Sequence, residues 1–128
     1  MRLLLDTHAF IWFANSDPQL SDRAKGLIEN ADNDIFLSAA SLWEMAIKVS
    51  LGKLHIAQPF GIFIIEQMRF NNFSLLPITV AQIALVTTLP FHHRDPFDRL
   101  LIAQAAAEQF PIVSRDEMFD LYSVQRLW

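Results

Sequence analysis

At 128 residues, with 52% apolar and 19% charged residues, the chain is long enough to bury a sizeable core and too apolar to be disordered. It has no cysteine, which excludes a disulfide framework or a thiolate metal site and fits a reducing cytoplasm. A net charge of −4, from 10 basic and 14 acidic residues, excludes passive coating of nucleic acid by a basic surface, although bound divalent cations would restore positive charge where a phosphate must sit.

Arg2 to Leu5 reads as a strand, and Asp6 interrupts the leucines too early for a signal peptide. A helix is expected from Thr7 to about Ala14, then a turn from Asn15 to Pro18. Ser21 can cap a second helix reaching about Ala31. Ile35 to Leu37 is a second strand. Leu42, Met45, Ala46 and Val49 then recur at helical spacing, and Gly52 ends that helix. Pro59 to Phe70 is apolar and helical, Phe73 to Leu76 is a third strand, and Thr79 to about Thr87 is another helix. Pro77 and Pro90 break this uncharged stretch well short of the ~20 residues that a spanning helix needs, so no membrane segment is expected.

Asp95-Pro96 opens the clearest helix, with Asp as N-cap and Pro at the first helical position. Its body, Leu100 to Ala107, is apolar nearly all round and should be buried, and Pro111 stops it. Ile112 to Ser114 is a fourth strand, Asp116 to Tyr122 a short helix, and the C-terminal segment an edge strand. No repeat or linker divides the chain, so residues 1–128 read as one domain. Strands alternating with helices imply an α/β fold: a central, mainly parallel sheet of four to five strands flanked by helices. Ligands of such sheets sit outside the carboxyl ends of the strands.

Four acids, Asp6, Glu44, Asp98 and Asp116, stand where an apolar run gives way to a helical pattern. Each has an ordinary structural explanation. Asp6 and Asp116 can cap the helices that follow them. Ser41 and Glu44 match a capping box, and Lys48 pairs with Glu44 one turn on. Asp98, third in its helix, gains from the helix dipole. Taken together, the four fall on one sheet edge, and crowded carboxylates either shift their pKa or take a cation. An all-oxygen set suits Mg²⁺, with Mn²⁺ as the alternative, rather than zinc. Asp95 either caps its helix or supports Asp98, and Asp120, one turn beyond Asp116, offers a second source for the last carboxylate. Arg99 and Arg115 flank the acids and either hold phosphate or pair with a carboxylate. His8 belongs to core or rim, and His92-His93 to a solvated loop or a phosphate contact.

The segments Leu3 to His8, Ser41-Leu42-Trp43-Glu44, Asp95 to Ala105 and Ser114-Arg115-Asp116 resemble, in order, those of PIN-domain ribonucleases, in particular VapC-type toxins of toxin–antitoxin pairs. The resemblance spans nearly the whole chain and is most specific between Asp95 and Ala105. It implies a PIN-like three-layer domain and a cytoplasmic endoribonuclease that hydrolyses RNA with metal-activated water. It places Asp6, Glu44, Asp98 and Asp116 at the acidic metal positions and Ser114 at the small hydroxyl position before the last acid. It also implies a homodimer and a cognate antitoxin that blocks the site. Phe10 to Phe13 and Pro59 to Ile65 are more apolar than one buried face requires, which fits either core or a groove for such a partner. Two other readings are a catalytically silent PIN-like binding module and a phospho-receiver domain. The second lacks paired acids after the first strand and a late lysine, since the last lysine is Lys53.

Overall fold

The computed structural model describes residues 1–128. Its strands are β1 (Arg2–Leu5), β2 (Asp34–Ser38), β3 (Ser74–Leu76), β4 (Ile112–Val113) and β5 (Arg126–Leu127). Its α-helices are α1 (Thr7–Ala14), α2 (Asp22–Glu29), α3 (Ala39–Ser50), α4 (Phe60–Phe70), α5 (Val80–Val86) and α6 (Pro96–Glu108). A 3₁₀ turn spans Glu117–Leu121.

The five strands form one sheet in the order β3-β2-β1-β4-β5, and every pairing is parallel. Chain order runs outward from β1 through β2 to β3, then crosses back to add β4 and β5 on the other side. The order therefore reverses between β1 and β4, and their carboxyl ends flank the crevice where open α/β sheets bind ligands.

Alternation along β1 separates the two faces of the sheet. Leu3 and Leu5 pack with Phe10, Trp12, Ile28 and Ile64 from α1, α2 and α4. Leu4 packs on the opposite face with Leu101, Ile102 and Ala105 of α6. All three leucines are fully buried, as expected of a central parallel strand. α5 lies against α6.

The helix ends explain where the elements stop. Ser21 accepts from the Ala24 N–H and caps α2, which ends at Glu29, short of Ala31. Thr79 and Gln82 form a reciprocal capping box on α5. α6 ends before Pro111, because Gln109 turns left-handed (φ 57°) and the Phe110 N–H closes on the Ala105 carbonyl. The capping box expected at Ser41 is absent. Ser38 caps α3 through the Ala40 N–H, so the helix starts earlier and Ser41 lies inside it.

One buried polar knot ties the sheet to α6. Gln104, fully buried, accepts from the Ser38 hydroxyl at 2.5 Å and donates to Gln82 Oε1 at 3.1 Å and the Pro77 carbonyl at 3.3 Å. Gln104→Leu keeps the volume but strands those partners. It should lower unfolding free energy by about 1–3 kcal/mol in urea titration. A variant as stable as the wild type would show that the knot contributes nothing.

Candidate functional site

The site begins with the pairing of Leu5 and Val113, which sets the next residues, Asp6 and Ser114, side by side. Asp6 caps α1, its Oδ1 accepting from the Ala9 N–H at 2.7 Å, while Oδ2 accepts from the Ser114 hydroxyl at 2.5 Å. Ser114 in turn accepts from the Asp116 N–H at 3.0 Å. Asp116 caps the 3₁₀ turn through the Met118 N–H. Asp98 occupies the first turn of α6, where Asp95 accepts from the Phe97 N–H at 2.7 Å and the Asp98 N–H at 3.3 Å. Glu44 rises from α3. Its Oε1 accepts from the Thr7 hydroxyl at 2.7 Å, and its Oε2 lies 3.2 Å from Lys48.

Asp6, Glu44, Asp95, Asp98 and Asp116 line one cavity of about 680 Å³, with His8, Trp12, Gln19, Lys48 and Arg115. Acid and cation are not balanced there. Lys48 reaches Glu44, whereas the Arg115 guanidinium lies 4.5 Å above the Trp12 ring and donates to Gln19. The carboxylates record this imbalance. Burial raises the Asp6 pKa against the opposing hydrogen bonds from Ser114 and Ala9. Burial, followed by repulsion from Asp95, Glu44 and Asp6, pushes Asp98 to about 7, with His93 pulling the other way. Oxygen donors in negative excess fit a hard divalent cation, and no thiolate competes.

Two expected contributors lie elsewhere. Asp120 is exposed and grips Arg126, whose Nε and second guanidinium nitrogen are both 3.0 Å from its carboxylate, and that pair holds its pKa down. Asp116, not Asp120, reaches the cavity. Arg99 is buried and turned away. It donates to the carbonyls of Val86, Leu89 and Pro90 and lies 4.0 Å over the Phe91 ring, so its donors are spent on carbonyls rather than on a carboxylate.

His93 is the residue that sequence reasoning missed. It is not a solvated loop residue but buried, with Nε2 2.7 Å from Asp116 Oδ2. One ligand atom from each of His93, Asp98 and Asp116 falls within 4.8 Å of the others. No periodicity marks a loop histidine. The available signal was Tyr122, the one tyrosine beside 11 phenylalanines, because a buried phenol needs a polar partner.

The apolar segments divide. Phe10 and Trp12 are core, whereas Ile62, Ile65 and Phe70 of α4 are exposed. A separate, mostly apolar cavity of about 330 Å³ lies between α1 and the α3–α4 connection, lined by Phe10, Ile11, Met45, Leu54 and Phe63 among others.

The chain is a parallel α/β sheet with carboxylates clustered at its strand-order reversal. The family described as "PIN domain" matches residues 3–124, and the chain belongs to it. Ribonuclease VapC22 of Mycobacterium tuberculosis is 29% identical over 115 residues, covering 89% of this chain and 86% of that protein. Ribonuclease VapC16 of the same organism is 35% identical over 63 residues, 49% of this chain and 45% of its own. Among solved structures, VapBC2 from Rickettsia felis bound to a DNA fragment from their promoter has a similar fold (TM-score 0.72, 17% identity, 100% of this chain and 99% of that one). So does FitAcB from Neisseria gonorrhoeae (TM-score 0.67, 20% identity, 98% and 96%).

The raised pKa of Asp98 has a consequence for stability. An acid whose folded pKa exceeds its unfolded value binds its proton more tightly when folded, so stability falls as pH climbs from about 4 to about 7. In EDTA, the wild-type melting temperature should drop across that window. Asp98→Asn should flatten the drop and melt roughly 3–6 °C higher at pH 8, the shift that about 1 kcal/mol makes in a chain of this size. An Asn variant that melts no higher than the wild type at pH 8 would contradict the crowding of charge at Asp98.

Proposed function

We propose that the chain is a metal-dependent endoribonuclease and the toxin of a toxin–antitoxin pair. The observation that carries this reading is the convergence of Asp6, Glu44, Asp98 and Asp116 on one cavity at the β1–β4 crevice. Asp6, Asp98 and Asp116 would hold Mg²⁺, or Mn²⁺ as the alternative, with Glu44 direct or through water. When bound, the cation lowers the pKa of its water and offsets charge on the phosphate.

The chain's own groups do the rest. Ser114 and Thr7 orient the Asp6 and Glu44 carboxylates by donating to them. Arg115, stacked on Trp12 with no acid as partner, is placed to take a phosphate oxygen. The names of the VapC relatives and a single sheet carrying both cores support reading residues 1–128 as one nuclease domain. No helix is long and apolar enough to cross a membrane.

The same reading supplies partners. Exposed Leu75, Val80, Ile83 and Phe91 on and around β3 and α5 offer an apolar surface for a homodimer. The apolar cavity beside α1 offers a seat for an antitoxin segment. A monomeric mass in solution would remove the homodimer.

The decisive experiment is cleavage of total RNA by purified protein with Mg²⁺. Asp6→Asn and Asp98→Asn should each lose at least ~100-fold in rate, and EDTA should abolish wild-type cleavage. Cleavage by either variant at the wild-type rate would sink the mechanism.

A further inference from the structure

Asp116 is carried by neither an α-helix nor a strand. It stands between β4 and the 3₁₀ turn, with its side chain 40% exposed. Such a side chain should wander, yet both its oxygens are held. The Met118 N–H donates to Oδ1 at 3.0 Å, and His93 Nε2 meets Oδ2 at 2.7 Å.

His93 is fixed in its turn. The Tyr122 hydroxyl accepts from the His93 amide N–H at 2.9 Å and lies 3.1 Å from ring Nδ1. The hydroxyl accepts the amide N–H on one lone pair and has its own hydrogen free to donate to Nδ1. With the phenol donating to Nδ1, Nε2 carries a hydrogen toward the carboxylate. Phe119 and Tyr122 pack on the ring at centroid distances of 4.8 and 5.5 Å and set its plane.

We propose that Tyr122 and His93 form a positioning relay that holds the Asp116 carboxylate toward the cavity for a divalent cation, His93 acting through Asp116 rather than binding the cation itself. The proposal rests on the nuclease reading of that cavity. Both ring nitrogens are already engaged, Nε2 by the carboxylate and Nδ1 by the phenol. The relay also runs onward. The Asp116 N–H donates to Ser114, and Ser114 donates to Asp6, so loss of the clamp on Asp116 loosens the contact to Asp6 as well.

The test compares His93→Leu, His93→Gln and Tyr122→Phe with the wild type by calorimetric titration with Mn²⁺, and by RNA cleavage as Mn²⁺ is varied. His93→Leu should weaken Mn²⁺ binding and raise the half-saturating metal concentration roughly 10–100-fold, with a smaller loss of limiting rate at saturating metal. His93→Gln places an amide donor at similar reach and should recover most of that affinity. Tyr122→Phe keeps the ring packing and should weaken binding in the same direction, by less. Melting in EDTA reports whether each variant folds. Wild-type Mn²⁺ affinity in His93→Leu overturns the relay. So does a folded Gln variant that binds as weakly as Leu, since that would make the ring nitrogen a direct ligand. If His93→Leu does not fold, unchanged affinity in Tyr122→Phe overturns it. Should the wild type bind Mn²⁺ through this relay yet cleave no RNA, the nuclease reading fails and the relay stands.

Discussion

The pairing of β1 with β4 is the constraint on which the site depends. It consists of two residue pairs, Leu4 with Ile112 and Leu5 with Val113, all four fully buried. Side chains alternate between faces, so a slip of one residue would turn Ile112 and Val113 onto the wrong cores. The same slip would take Ser114 away from Asp6 and bring Arg115 up instead. The apolar pattern of two short strands therefore decides which polar groups meet beyond them. The crossover from β3 makes this pairing non-local in sequence, and β1 is the strand both halves of the sheet share.

Beyond that edge, each acid does two jobs. Asp6 and Asp116 cap the turns they begin, and Asp98 sits in the N-terminal turn that Asp95 caps. Backbone N–H groups and helix dipoles thus absorb part of the cost of crowding negative charge. They do not absorb all of it, because Asp98 is still pushed to about 7 and Asp6 upward. The cap takes one oxygen of Asp6 and of Asp116, and Ser114 and His93 orient the other. For Asp6 and Asp116, the cap and the proposed ligand role therefore fall on the same carboxylate.

This explains what was legible in the sequence. Caps, prolines and apolar runs are local signals, so β1, α1, α3 and α6 can be read from them, and the acids fall at their ends. What failed was non-local. The Ser41-Glu44 spacing fits a capping box, but Ser38 starts the helix sooner, and Glu44 is freed to meet Thr7 from the far side of the sheet edge. Asp120 has the helical spacing to join Asp116, but Arg126 on β5 claims it, and the same arginine donates to the Ser114 carbonyl. His93 is placed by the fold, which brings Asp116 and Tyr122 to it from 23 and 29 residues further along the chain.

Arg99 shows the same rule from the opposite side. It follows Asp98 directly, so sequence proximity alone suggests a shared site. Neighbouring helical residues point about 100° apart, however, and this turns the guanidinium behind the acids. There it collects the last carbonyl of α5 and two carbonyls of the loop that follows, and it stacks on Phe91. That loop leads directly to His93 and Asp95. A buried guanidinium is stable only with several acceptors, and three carbonyls supply them without a carboxylate. Arg99 thus fixes the strap that delivers His93 to Asp116 and Asp95 to the start of α6. One helical turn thereby contributes an acid to the front of the cavity and a clamp to its back.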